Sequence, residues 1–322
     1  MRRTVLVTGA AGFIGHHLAL RLHERGDQVI GYDNFNDYYD PNLKRARAKR
    51  LQEKGIPVIQ GDICDSNALD QLFSKHTFTH IVHLAAQAGV RYSLENPQAY
   101  VTANLQGFVS MLELCRQQPH IPFIYASSSS VYGLNSKMPF SEKDPTDSPV
   151  SLYAATKKSN EVLAHSYHHL YGIPVTGLRF FTVYGPWGRP DMAYFAFTKA
   201  VLEGTPIKLF NDGQLRRDFT YIDDIIDGIV AAVDLSAPHE IFNLGNNQPE
   251  ELGHFVDLIE TAAGKKAIRQ QAPMQAGDVL STYADISHSA SKLGYKPKTP
   301  LSKGIPKFVE WYKEYAKLSL AP

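Results

Sequence analysis

Cysteine is scarce: Cys64 and Cys115 are the only two in 322 residues. Two thiols outside any CxxC or metal-ligand spacing cannot build a disulfide framework or a zinc site. Set among apolar neighbours, both are expected to be buried and reduced. Excess charge of either sign is missing too. Lys+Arg 33 against Asp+Glu 32 leaves a formal net charge of +1, so no global field draws the chain to nucleic acid or an anionic membrane. The local exception, the basic run at 44–50, reads as the solvated face of a helix that follows Pro41. No stretch approaches the roughly 20 consecutive apolar residues of a membrane span. The start, Arg2-Arg3 leading into a short apolar strand, carries no small-residue cleavage site. These absences predict a reducing cytoplasmic setting with no nucleic-acid or membrane partner. Repeats, low-complexity tracts and a flexible linker are also missing. The 13 histidines, His165, His168 and His169 among them, fit no metal spacing and read as solvated helix faces.

What is there is an alternation. The hydrophobic share of 43% is ordinary for a globular chain, and the length favours one large domain with a smaller lobe. Apolar runs bounded by turn residues predict strands at 4–7, 28–32, 57–60, 80–84, 123–126 and 175–180. Segments of helical period predict helices at 13–25, 43–53, 68–75, 99–116 and 151–171. Strand and helix in turn over this length predict an α/β fold: a doubly wound parallel sheet, Rossmann-like, covered on both faces. After Tyr184 the pattern breaks into short elements joined by Pro/Gly-rich connections. The expectation is a dinucleotide-binding domain over 1–183, and a smaller mixed α/β lobe over 184–322 with some segments returning to the sheet.

Thr8-Gly9-Ala10-Ala11-Gly12-Phe13-Ile14-Gly15 ends the first strand and opens the first helix. Glycines at that place permit a tight turn and close approach of the backbone to a pyrophosphate. The helix N-terminus adds free N–H groups. A GxxGxxG triplet alone also fits an ordinary glycine-rich turn, so context decides. Asp33 ends the second strand 18 residues beyond Gly15, where a carboxylate accepts hydrogen bonds from ribose hydroxyls. Its charge repels a 2′-phosphate and the next residues are Asn34-Phe35, which predicts NAD over NADP. Asp62, in Gly61-Asp62-Ile63, is placed to meet the adenine, although a plain strand-end turn explains it nearly as well.

Tyr153 and Lys157 stand four apart, on one face of a helix. A phenol with an unperturbed pKa of about 10 is a poor base at neutral pH. A nearby ammonium and a cationic nicotinamide favour the phenolate, which can then take a proton from a substrate hydroxyl. The run Ser127-Ser128-Ser129-Ser130 before Val131-Tyr132-Gly133 falls at the C-terminal end of a strand, where ligands bind in such sheets.

The glycine triplet, Asp33, His83-Leu84-Ala85-Ala86, the serine run and YxxxK together resemble the extended short-chain dehydrogenase/reductases, over essentially the whole chain. The resemblance implies that Ser128, Tyr153 and Lys157 are catalytic, with Lys157 also holding the nicotinamide ribose. It implies that Gly9, Gly12, Phe13, Ile14, Gly15, Asp33, Asn34, Asp62, Ile63, Leu84, Ala85, Ala86 and Asn104, with Tyr153 and Lys157, bind NAD. Helices 99–116 and 151–171 would form a four-helix homodimer interface.

Dehydratases and the UDP-xylose-forming decarboxylase of that family carry an acid just before the VYG segment. Here Ser130 stands there, after Ser129, which points to epimerisation. The stretches at 87–93 and 179–192 are similar to those of the family's UDP-glucuronate 4-epimerases, whereas its UDP-galactose 4-epimerases carry Asn in place of Thr182. The resemblance therefore implies a UDP-sugar substrate, most closely a uronate, bound by Arg91, Ser128, Ser129, Ser130, Tyr153, Thr182, Arg189, Arg217 and Asp278. Guanidinium groups suit its diphosphate. Gln275 replaces the arginine that UDP-galactose members carry before the later Gly-Asp. A neutral or N-acetylated hexose, or decarboxylase or dehydratase chemistry on the same fold, are the alternatives, while intact Tyr153 and Lys157 speak against a non-catalytic NAD-binding module.

Overall fold

The computed structural model describes residues 3–273 and 281–319. The chain opens with β1 (Thr4–Thr8), α1 (Phe13–Glu24), β2 (Gln28–Asp33), α2 (Pro41–Glu53), β3 (Val58–Gln60), α3 (Ser66–Lys75) and β4 (His80–His83). Two short helical turns, α4 (Tyr92–Glu95) and α5 (Pro97–Tyr100), lead through a π-helical stretch (Val101–Gln106) into α6 (Gly107–Gln117). Then come β5 (Phe123–Ser128), α7 (Leu152–Tyr171), β6 (Val175–Phe180), β7 (Thr182–Tyr184), α8 (Ala193–Glu203), β8 (Pro206–Phe210), β9 (Arg216–Tyr221) and α9 (Ile222–Leu235). The last elements are β10 (His239–Leu244), β11 (Pro249–Glu251), α10 (Leu252–Ala263), β12 (Ile268–Ala272), β13 (Ser281–Thr282), α11 (Ser287–Leu293) and α12 (Leu301–Ser319).

Seven strands form one parallel sheet in the order β10-β6-β5-β4-β1-β2-β3. The strand order reverses beside β1, and the crevice of a doubly wound sheet opens at that switch point. Burial on both faces explains why β1 reads as an unbroken apolar run. Val5 and Val7 pack toward α1 and α9, while Leu6 packs with Ile30, Phe108 and Phe123 on the other face. The predicted parallel sheet is thus present, with ends shifted by a residue or two. The late segment β10 joins it beside β6.

A second, mixed sheet of β11, β9 and β13, with β7 paired to β9, and the parallel pair β12–β8 lie among α8, α10 and α12. Among the described residues, no helix is long and apolar enough to cross a membrane.

Three expectations need correction. The helix predicted at 99–116 is one continuous helical run through α5, a π-helical stretch and α6; it starts two residues earlier because Asn96 caps it with Pro97 at the first position. The basic run at 44–50 is not simply a solvated face: Lys44 is buried and Arg47 has 0% exposure. Leu43, Arg47 and Leu51 share the inner stripe of α2 at helical spacing. Cys115 is buried as expected, but Cys64 is only partly so.

Candidate active site

The cleft lies at the C-terminal ends of β1, β2, β4 and β5, and one wall is the turn into α1. Gly9 has a φ of +71°, and a Cβ there would meet Ala85 N at 2.8 Å. A Cβ on Gly15 would sit 2.1 Å from Gly9 O. Only glycine lets the turn, the helix and the 84–86 segment after β4 close on one another. Helix α1 starts at Gly12 with no side-chain cap, so its first-turn N–H groups remain available to an anion. This backbone concavity fits the pyrophosphate of a dinucleotide.

Asp33 is buried at the end of β2, with Oδ2 accepting from Ala11 N (3.0 Å) and Oδ1 from Phe35 N (2.8 Å). Burial raises its pKa, against the Phe35 N–H and the charges of Lys44 and Arg47. Each oxygen keeps a lone pair for a ribose hydroxyl. Asp62 accepts from Asn34 Nδ2 (2.8 Å) and Cys64 N (2.8 Å), closing this end of the cleft. Ile63, Leu84, Ala85 and Ala86 also line the cleft, as do Gly12, Phe13, Ile14 and Asn34.

Asn104 stands behind the cleft. Its side chain accepts from Gln87 N (2.8 Å) and donates to Gln87 O (3.0 Å) and Thr156 Oγ1 (3.1 Å). It pins the 84–89 segment to the helix that carries Tyr153.

At the far end of the cleft, Ser151 caps α7 by accepting from Ala154 N, which fixes the face bearing Tyr153 and Lys157. Lys157 Nζ donates to Ala126 O (2.9 Å) at the end of β5, and burial pushes its pKa down to about 8. Tyr153 is hydrogen-bonded to Ser128, and burial raises its pKa, with the Ser128 bond and the Arg189 charge opposing. The expected lowering by Lys157 is not among the causes of this shift. Ser128 Oγ also reaches Ser130 Oγ at 3.1 Å.

Ser129, Ser130, Thr182 and Arg189 line the same end of the cleft. Arg189 Nε donates to Asp191 Oδ1 (3.0 Å), and Tyr38 OH donates to Asp191 Oδ2 (3.1 Å). Arg91 is exposed at the entrance to α4 and Arg217 lies on β9. Neither lines this cleft. Asp278, with Gln275, lies outside the described residues.

Sequence reasoning missed Lys44, Tyr38 and Gln87, all of which line the cleft, and Asp191, the partner of Arg189. The apolar stripe Leu43–Leu51 was a usable signal for the inward face of α2. Tyr38 and Asp191 carried none, since they meet only through folding.

A parallel sheet with a glycine cradle at its switch point, and Ser128, Tyr153 and Lys157 gathered in the same cleft, defines a dinucleotide-dependent α/β enzyme. The chain belongs to the NAD dependent epimerase/dehydratase family, whose sequence model matches residues 5–245. It is 54% identical to UDP-glucuronate 4-epimerase 4 of Arabidopsis thaliana, over 97% of this chain and 76% of that protein. It is also similar, at 37% identity and a TM-score of 0.89, to the Bacillus cereus UDP-glucuronic acid 4-epimerase solved with UDP-glucuronic acid and NAD; 97% of this chain and 99% of that one are covered. The Thermotoga maritima UDP-glucose 4-epimerase, solved with UDP-glucose, superposes with a TM-score of 0.86 at 29% identity, covering 97% and 99%.

Proposed function

We propose that this protein is an isomerase that inverts C4 of UDP-glucuronate to give UDP-galacturonate, with NAD as its resident cofactor. The observation that carries this reading is the cleft itself. The glycine cradle and Asp33 lie at one end. At the other, Ser128 and Tyr153 are joined beside Lys157 and ringed by the uncharged hydroxyls of Ser129, Ser130 and Thr182. High identity to UDP-glucuronate 4-epimerases over nearly the whole chain supports it.

NAD, held by the cradle, Asp33 and Lys157, supplies the oxidation and later reduction of C4, so the net redox change is zero. Tyr153 takes the proton from the sugar O4 and returns it after the 4-keto sugar has turned over about its phosphate linkage. Ser128 donates a hydrogen bond to the oxygen as charge develops. Burial raises the Tyr153 pKa, with the Ser128 bond and the Arg189 charge opposing, and a bound cationic nicotinamide would further favour the phenolate. Arg189 is placed to meet the diphosphate. Arg91 and Arg217 would act from outside the cleft wall, and Asp278 would meet the ribose. A 4-keto uronate is a β-keto acid that loses CO₂ when its carboxylate bond aligns with the carbonyl. Ser129, Ser130 and Thr182 hold the carboxylate out of that alignment.

The dinucleotide-binding part spans 1–183 with β10 returned to its sheet, and the remainder from 184 is mostly the sugar-nucleotide lobe. The active species is a homodimer in the cytoplasm.

Incubation with UDP-glucuronate, UDP-glucose and UDP-N-acetylglucosamine, with chromatographic separation of the epimers, tests the assignment. UDP-galacturonate is expected from the first at the highest rate; a faster reaction on either neutral sugar would overturn the uronate reading. Tyr153→Phe keeps the ring and removes the proton acceptor, so turnover should fall by about 10²–10⁴ while UDP and NAD binding survive. Turnover near the parent rate would refute the role of Tyr153.

A further inference from the structure

Arg47 is fully buried, yet its partners are all uncharged. Nε donates to Trp187 O (3.0 Å), and Nη2 to Trp187 O (2.6 Å) and Gly188 O (2.9 Å). Nη1 donates to Ala11 O (3.1 Å) and Tyr39 OH (2.6 Å). These bonds use all five donors of the guanidinium. Burying a charge with no carboxylate among its hydrogen-bond partners is costly even with Asp33 near enough to feel it, and packing alone would be served better by an apolar side chain. What an apolar residue could not do is bind three carbonyls from two separate segments at once.

The two segments are the cradle that receives the dinucleotide and the loop that delivers Arg189. Ala11 lies between Gly9 and Gly12, while Trp187 and Gly188 immediately precede Arg189. The loop is held against its own preference: Trp187 has a φ of +62°, rare for a bulky residue. Further contacts come from the dinucleotide side. His17 Nε2 donates to Pro186 O (2.9 Å), and the Arg50 guanidinium lies 4.7 Å from the centre of the Trp187 ring. Arg189 N in turn donates to Tyr194 OH (2.9 Å).

We infer that Arg47 is a positioning residue that couples the two halves of the site, so that filling the phosphate cradle sets the loop that presents Arg189 to the nucleotide diphosphate of the substrate. A displacement of Ala11 would pass through one rigid planar fork to Trp187 and Gly188. Coupling of this kind is reciprocal: a bound uridine nucleotide must tighten the hold on NAD by the same factor. An enzyme that reuses one cofactor molecule in every turnover gains from that factor, because the 4-keto sugar and the reduced cofactor must stay together until the second transfer. The inference rests on the assignment of a UDP-sugar substrate.

The test uses UDP as the probe, titrated by calorimetry into NAD-saturated and NAD-depleted protein. The parent should bind UDP about five-fold or more tightly when NAD is present. Arg47→Met should bring that ratio to within two-fold of one while the far-ultraviolet spectrum is kept. Arg47→Lys, which retains the charge but not the fork, should lose the ratio too and serves as second variant if the first does not fold. Lys49→Met, at an exposed position of the same helix, should leave the ratio unchanged. A merely structural Arg47 would weaken both affinities and leave the ratio intact. That result, or a parent ratio of one, would overturn the inference while the substrate assignment stands. Failure of UDP to bind the parent at all would overturn both.

Discussion

Two side chains in the cleft have consequences that can be measured one at a time. Burial lowers the Lys157 pKa from 10.5 to about 8, and Lys157 is 4% exposed. At about 1.4 kcal/mol per tenfold, this amounts to an upper limit of about 3 kcal/mol against the charged form in the folded protein. The folded-state value is the depressed one, so the penalty is fully present below pH 8, where folded and unfolded chains both carry the proton. It fades as pH rises from 8 toward 10.5. Lys157→Met should therefore melt higher than the parent below pH 8 without NAD, with the gap narrowing through that window. A pH-independent gap would show that Lys157 is solvated. The other side chain is Thr182. Hydrogen bonds to charged groups contribute roughly 1.5–3 kcal/mol, against about 1 for neutral ones. Thr182→Val should thus lower kcat/KM on UDP-glucuronate by about ten-fold or more and affect UDP-glucose far less. UDP-pentose should appear as a by-product of the loosened carboxylate. Equal losses on both sugars with no pentose would reduce Thr182 to shaping its loop.

At the scale of elements, the turn between β1 and α1 is the least tolerant part of the fold. A Cβ on Gly15 would fall 2.1 Å from Gly9 O, 2.8 Å from Gly9 C and 3.0 Å from Ala10 Cα, all backbone atoms. Gly15→Ala must therefore displace the cradle, and purified variant should carry less than a tenth of the parent's NAD; retention of bound NAD would show that the turn can relax. The contrast with Gly253, where a Cβ would meet only Gly213 O at an ordinary 3.6 Å, supplies a control. Behind the serine run a different device operates. Glu161 on α7 accepts two bonds from Arg179 on β6 (2.8 and 2.9 Å) and one from Ser127 Oγ (2.7 Å), and Arg179 also reaches Tyr132 OH (2.9 Å). This buried network locks the helix of Tyr153 to the strand of Ser128.

The sheet was legible in the sequence because its strands are short apolar runs and its helices keep a clean period; cradle, Asp33 and the Tyr/Lys pair were legible because each depends on local spacing. Arg47 was hidden inside a basic run whose average polarity masked one inward position. The π-helical stretch at 101–106 and the Tyr38–Asp191 bond depend on contacts between distant segments, and no local pattern encodes them.

For the whole molecule the open question is assembly, and the surface of the helix pair α6–α7 supplies the argument. Val101 precedes α6 and is exposed, as are Val162, Leu170 and Tyr171 on α7. Ala155, Ser159, Val162 and Ser166 follow one another at spacings of four, three and four, which places small and apolar residues along one outward face. Small residues let a second helix pair approach closely, and two-fold symmetry would bring the same face from both copies together. That face is the back of the helix whose front holds Tyr153 and Lys157, so a partner would stiffen the catalytic helix without entering the cleft. Sedimentation at micromolar concentration should give a dimer of this 35.9 kDa chain. Val162→Arg places like charges against each other across the symmetry axis and should give monomers. Because Tyr153 and Ser128 remain in place, the monomer should still bind UDP, while its turnover falls several-fold and its melting point drops. A monomeric parent would refute the assembly, and a monomeric variant with parental turnover would refute the stiffening.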